Sequence, residues 1–159
     1  MMESIETTTV DLPRFGELSY AETDVIEFPW GIPGFPTLHR WLLLSLDAHP
    51  GYVWLQSLDD VKVAIPTADP YFIFEDYDPK LPPYAFVALD VRSAEDFTLL
   101  CVVVVTANAE EMTINLMAPI VVNLRNRKAR QVMLENSSYS VREPIPRKAA
   151  VPAEQASAS

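Results

Sequence analysis

Ten of the chain's 14 prolines fall within its first 85 residues, too closely spaced for long helices, because each removes an amide donor and clashes with the preceding helical turn. What lies between them is short and strand-like. Leu18 and Tyr20, Val25 to Phe28, Trp41 to Leu46, Tyr52 to Leu55, and Val61, Val63 and Ile65 form apolar or alternating runs bounded by Pro, Gly and Asp. Leu99 to Val105 is an unbroken apolar run of seven residues, which reads as a buried strand and is far below the roughly 20 residues of a membrane-crossing helix. Further on, Ile114, Leu116, Ala118, Ile120, Val122 and Leu124 share one phase of a period-two pattern, with Thr113, Asn115, Pro119 and Asn123 on the other. This predicts one long strand in which Pro119 marks an edge, a bulge or a bend where the strand changes sheet, since it cannot donate to a ladder.

Helix is expected only as short turns, at Asp69-Pro70, where Asp caps and Pro takes the first position, and at Ser93 to Phe97. Many short strands with turn signals about every eight to twelve residues predict an all-β fold, a small antiparallel β-barrel-like or sandwich single domain. The domain is expected to span residues 1–143. Arg125 to Arg130, RNRKAR, reads as a charged hairpin connection or rim, and residues 144–159, rich in Ala, Ser and Pro, read as a flexible tail.

Charge is unevenly divided. The net charge is -10, yet residues 1–124 carry 5 basic and 19 acidic side chains while residues 125–159 carry 7 and 3. An acidic body of this kind repels nucleic acid, whose binders displace counterions with a positive face, and attracts basic proteins. The acidic N-terminal stretch has no apolar run before Leu12 and resembles neither a secretory signal nor a basic presequence, so a cytoplasmic location is expected, with no membrane contact.

Catalytic signatures are missing from the sequence. Cys101 sits inside the apolar run, where a thiol serves as a small hydrophobe. His39 and His49 have no neighbours at metal-ligand spacing. The closest glycine pair lies in GIPG, where Pro33 removes a donor that a phosphate cradle would use. Adjacent acids such as Asp59-Asp60, Glu75-Asp76 and Glu110-Glu111 point to opposite faces of a strand and do not form acid/base couples by themselves. No catalytic residue, cofactor or metal is therefore expected.

Two stretches stand out instead. "DPYFIFEDYDP", residues 69–79, sets Tyr71, Phe72, Phe74 and Tyr77 among Asp69, Glu75, Asp76 and Asp78, either as a plug for one end of a barrel or as aromatic anchors with an acidic rim. "FPWGIPGFP", residues 28–36, is a Gly- and Pro-rich turn filled with large apolar side chains where turns usually carry Asn, Asp or Ser.

"FGE" at 15–17, "FPWGIPGF" at 28–35, "LQSLDD" at 55–60 and "NLMAPIVVN" at 115–123, in this order and spacing, resemble the FliW family of flagellar assembly factors from about Phe15 to Val141. The resemblance implies a small β-barrel-like protein without catalytic activity, monomeric when free. It implies two partners: flagellin, whose aggregation-prone terminal helices such proteins protect, and the translational regulator CsrA, a basic RNA-binding homodimer that represses flagellin synthesis. Capture of CsrA, once flagellin has left, relieves the repression.

In such a fold Gly31 and Gly34 allow a tight turn that Pro33 stiffens, Ile32 and Phe35 tuck beneath it, and Trp30 points outward to a partner. Asn115 and Asn123 are expected to bond backbone around the Pro119 bend. From charge and aromatic clustering, the partner surface is expected at Asp59, Asp60, Glu75, Asp76 and Asp78, with Phe74 and Tyr77 as anchors; Trp30 is a separate candidate for partner contact. The other readings are a flavin-binding split-barrel enzyme, for which the 125–130 arginines would have to hold phosphate, and an export chaperone that binds flagellin only.

Overall fold

The computed structural model describes residues 6–45, 49–135, 137–146 and 149–150. Eleven strands and two short helices follow one another as β1 (Thr7–Leu12), β2 (Gly16–Ala21), β3 (Ile26–Glu27), β4 (Arg40–Ser45), β5 (Tyr52–Ser57), β6 (Ala64–Ala68), α1 (Pro70–Ile73), α2 (Pro83–Leu89), β7 (Phe97–Val104), β8 (Thr113–Ile114), β9 (Ile120–Asn123), β10 (Lys128–Gln131) and β11 (Glu143–Pro144). Strands β7, β6, β5, β4, β3, β10 and β9 are hydrogen-bonded in that order, and β9 pairs back onto β7, which closes a seven-stranded barrel. Every neighbouring pair in it is antiparallel except β3 with β10. Closure removes the open edges that a sheet of this size would otherwise expose. The fold class is thus as expected, mostly β and barrel-like with few helices.

Alternation sorts the side chains into two cores that share a wall. Trp41, Leu43, Val53, Leu55, Leu100, Val102, Ile120, Val122 and Ala129 belong with Ile26, Phe28 and Ile32 to an inner cluster. The opposite phase of the same strands, Tyr52, Trp54, Leu99, Cys101, Val103 and Val121, joins an outer cluster with Ala85 and Leu89 of α2, Met112, Ile114, Leu116 and Ile145. The run from Leu99 is apolar on both phases because β7 is covered on both faces from Leu99 to Val103; Val104, at the end of the strand, is exposed. Strand β8 extends the sheet beyond β7, with Ile114 opposite Val103, and β11 adds to β8. Strands β1 and β2 form a separate ribbon.

Three expectations are corrected. The single strand over 113–124 is two short strands, because the Asn115 carboxamide oxygen accepts from the amides of Met117 and Ala118 (both 3.1 Å) and turns the chain between β8 and β9. Pro119 lies at that change of partner, its carbonyl accepting from Val132, and Leu124 is exposed. Of the supposed connection Arg125 to Arg130, only the first part is turn; Lys128–Gln131 is strand β10. The domain also continues past 143: Glu143–Pro144 pairs with β8, Ile145 is buried, and the Tyr52 hydroxyl donates to the Ala149 carbonyl. Residues 151–159 of the expected tail lie outside the described residues. Helix α2, two turns opened by Pro82-Pro83, is additional to the expected helical turns.

Candidate interaction surfaces

The Phe28–Pro36 turn is greasy because it seals the inner core. Ile32-Pro33-Gly34-Phe35 closes on itself through the Phe35 amide to the Ile32 carbonyl (2.7 Å), with Pro33 at the second position and Gly34 at φ 91°, the geometry of a type II turn. Ile32 and Phe28 are buried, and Phe28 and Phe35 both meet Trp41 edge to face. Trp41 is itself held by its indole N–H on the Leu38 carbonyl (3.1 Å). Gly31 lets the loop fold this tightly: at φ 69°, a methyl group in its place would stand 2.5 Å from the Pro36 carbonyl oxygen. Trp30, next to it, points away and is 49% exposed.

The acidic segment after β6 is arranged differently from the sequence reading. Asp69 caps α1 by accepting from the Tyr71 amide (2.9 Å). Tyr77 is not an anchor. It is buried in the outer core, its hydroxyl donates to the Leu116 carbonyl (2.7 Å), and burial holds its phenol protonated far above the usual range. Phe74 is half-buried against the same core. The aromatics that face solvent are Tyr71 and Phe72, 43% and 56% exposed. Phe72 is packed over Gly51, so tightly that a methyl group at Gly51 would meet its ring at 2.6 Å. Glu75, Asp76 and Asp78 stand exposed beside them, Asp78 in an ion pair with Lys80 (2.8 Å).

Asp59 and Asp60 do not join this surface. They occupy the β5–β6 turn, while Asp69 to Asp78 follow the other end of β6, a strand of five residues, or roughly 17 Å of extended chain. Asp59 has a structural task there, its carboxylate accepting from the amides of His39 (2.6 Å) and Arg40 (3.1 Å). Asp60 accepts from the Lys62 amide (3.1 Å). The two asparagines also act locally. Asn115 turns the chain before β9. Asn123, fully buried, donates to the Leu89 carbonyl (2.7 Å) and accepts from the amides of Arg125 and Asn126. It thereby ties the C-terminal end of α2 to the β9–β10 turn rather than serving the Pro119 bend.

The 125–130 arginines go to three separate places. Arg125 reaches Asp90 and Asp96, Arg127 donates to the Asp24 carbonyl (3.1 Å), and Arg130 lies between two rings, its guanidinium carbon 4.6 Å from the Trp30 centroid and 5.1 Å from that of Tyr84. Tyr84 and Val87, three apart on α2, are 46% and 82% exposed. Sequence reading did not single out Tyr84 or Val87 and weighed Arg130 only as a phosphate holder, because α2, β10 and the Trp30 turn come from distant segments. The one available signal is the Tyr84–Val87 spacing after Pro82-Pro83. Among the described residues no group of His, Cys, Asp and Glu is placed to hold a metal, and no helix is long and apolar enough to cross a membrane.

Comparison with known proteins matches this architecture to one family. The FliW protein family model matches residues 9–145. The flagellar assembly factor FliW of Pseudothermotoga lettingae is 39% identical over 130 residues, covering 81% of this chain and 83% of its own length. That of Caldicellulosiruptor saccharolyticus is 36% identical over 138 residues, covering 87% and 90%. A crystal structure of the flagellar assembly factor FliW superposes with a TM-score of 0.81 at 27% identity, over 87% of this chain and 98% of that one. With the barrel, its Gly-Pro plug and the Asn115–Asn123 segment matched from residue 9 to residue 145, the chain belongs to the FliW family of flagellar assembly factors.

Proposed function

We propose that this flagellar assembly factor acts by binding and not by catalysis, as a cytoplasmic partner switch between flagellin and CsrA. The observation that carries the reading is the exposed surface after β6, where Tyr71 and Phe72 stand beside Glu75, Asp76 and Asp78. Exposed rings on a rigid scaffold supply apolar contact at low entropic cost, and a carboxylate rim selects a basic partner and speeds its approach. CsrA, as a basic dimer, suits that surface; flagellin, through its amphipathic terminal helices, is the second partner, and its departure frees the factor to take CsrA.

Isothermal titration of the protein with purified CsrA, at low and moderate salt and with and without excess flagellin, tests this. Binding that weakens with salt and is lost with flagellin is the expected result. Glu75→Lys/Asp76→Lys should lower CsrA affinity by about tenfold or more, on the order of 1.4 kcal/mol, with an unchanged melting curve because both side chains are exposed. Unchanged affinity removes this surface from the reading. Binding of flagellin without CsrA reduces the function to that of an export chaperone.

A further inference from the structure

The Trp30–Arg130–Tyr84 cluster shares no residue with the acidic surface after β6. Trp30 leaves the sealing turn on the side away from the core, Tyr84 and Val87 stand on the outward side of α2, and Arg130 comes from β10 between them. The guanidinium carbon lies over both rings, a cation–π arrangement that uses the ring faces and not the N–H donors. Among the described residues no carboxylate pairs with Arg130, although the chain carries 22 acidic side chains to 12 basic ones and Arg40, Arg92 and Arg125 each have an acidic partner. A guanidinium over the rings of an exposed Trp and an exposed Tyr, with no carboxylate partner among the described residues, has the composition that dominates the energetics of protein interfaces.

We propose that Trp30, Tyr84, Val87 and Arg130 form a second docking surface, whose occupant is an amphipathic helix of a partner protein that offers a carboxylate between apolar side chains. The carboxylate would take the free guanidinium edge in a forked pair, and the apolar side chains would cover Val87 and the two rings. A helix suits a face made of side chains, since it satisfies its own backbone and its i to i+7 row spans about 10 Å. A nucleic acid or other polyanion suits it less, because the chain as a whole carries a net charge of -10 and the face offers a single guanidinium where a polyanion needs several cations. The face carries charge opposite to that of the surface after β6, so the two would select partners of different chemistry.

The test does not depend on which proteins those partners are. Two synthetic amphipathic peptides of about 18 residues, long enough for helix, with Leu on one face and either Glu or Lys beside it, are titrated into the full chain while the indole N–H signal of Trp30 is followed by NMR, assigned with Trp30→Phe. Trp41 and Trp54 are buried, and their unchanged signals report an intact barrel. The Glu peptide should shift Trp30 in a saturable way. Arg130→Glu and Val87→Asp should each weaken it by about tenfold, with Arg130→Lys in between because it keeps the charge and loses the fork. The Lys peptide and inorganic phosphate should leave Trp30 where it is. The proposal is overturned if the Glu peptide gives no shift, if the Lys peptide or phosphate shifts Trp30 as strongly, or if Arg130→Glu leaves the Glu-peptide affinity unchanged.

Discussion

At the scale of single residues, the glycines of this chain are not equivalent, although all four have positive φ. Gly16, at φ 74°, has nothing within 4 Å of where a β-carbon would stand, so Gly16→Ala meets only the backbone penalty of the left-handed region, about 1 kcal/mol. Gly31→Ala adds a collision with the Pro36 backbone at 2.5 Å, which no side-chain rotation can relieve. It should cost about 3 kcal/mol or more, because the turn must open and draw Ile32 and Phe35 from the inner core. Denaturant unfolding of the two variants side by side checks this; equal losses would mean that the turn yields freely. The inward fate of Ile32 and Phe35 was legible from the sequence, since apolar side chains in a Gly-Pro turn have nowhere favourable to go but the core. The burial of Tyr77 was not, because the Leu116 carbonyl that receives its hydroxyl lies 39 positions away.

At the scale of elements, hydrophobic period reported faces well and boundaries badly. Ile114, Leu116, Ala118, Ile120 and Val122 are all buried, as their shared phase predicts, yet they do not lie on one strand. The interruption is made by one short polar side chain: the Asn115 carboxamide holds two backbone amides that the ladder would otherwise use. Asn115→Ala should therefore destabilise the protein by about 1–2 kcal/mol, because two partly buried amides lose their acceptor. Asn115→Asp, which keeps the acceptor, should recover most of that loss. Thermal melts of the pair decide it, and equal stability of Ala and Asp would assign the turn to Pro119 alone. Helix α2 was hidden for a related reason. Pro82-Pro83 reads as a breaker, whereas Pro83 occupies the first helical position, where its missing amide costs nothing. Pro66 likewise sits within β6, opposite Trp54, but β7 reaches only Thr67 and Ala68, so that stretch of β6 asks no donor of Pro66 towards β7.

On the scale of the whole molecule, the barrel wall formed by β5, β7 and β9 has apolar side chains on both sides, and the outer core needs the segments that follow the barrel, up to Ile145 and Ala149, to cover it. The composition of 144–159 concealed this, because Ala- and Pro-rich segments read as solvated until a neighbour with a matching hollow is known. The same outer core makes stability fall at alkaline pH. It buries three acidic X–H groups: desolvation pushes the Cys101 thiol up to about 12, the Tyr52 phenol up to about 12, and the Tyr77 phenol higher still. In the unfolded chain these groups ionise near their ordinary values, the thiol at about 8.5 and the phenols at about 10. Below those values both states hold their protons and the groups favour neither. Above them the unfolded state releases protons that the folded state retains, so stability present at neutral pH declines as pH rises from about 9 towards 12, by about 1.4 kcal/mol per pH unit for each group concerned. Denaturant midpoints between pH 7 and pH 11 should show this decline, starting with Cys101. In Cys101→Ala, less stable at neutral pH because of the lost sulfur volume, the curve should stay flat until the phenols begin to titrate near pH 10. A wild-type midpoint that holds constant to pH 11 would mean that these groups remain in contact with water in the folded protein; a decline of the same onset and slope in both chains would place its cause outside Cys101.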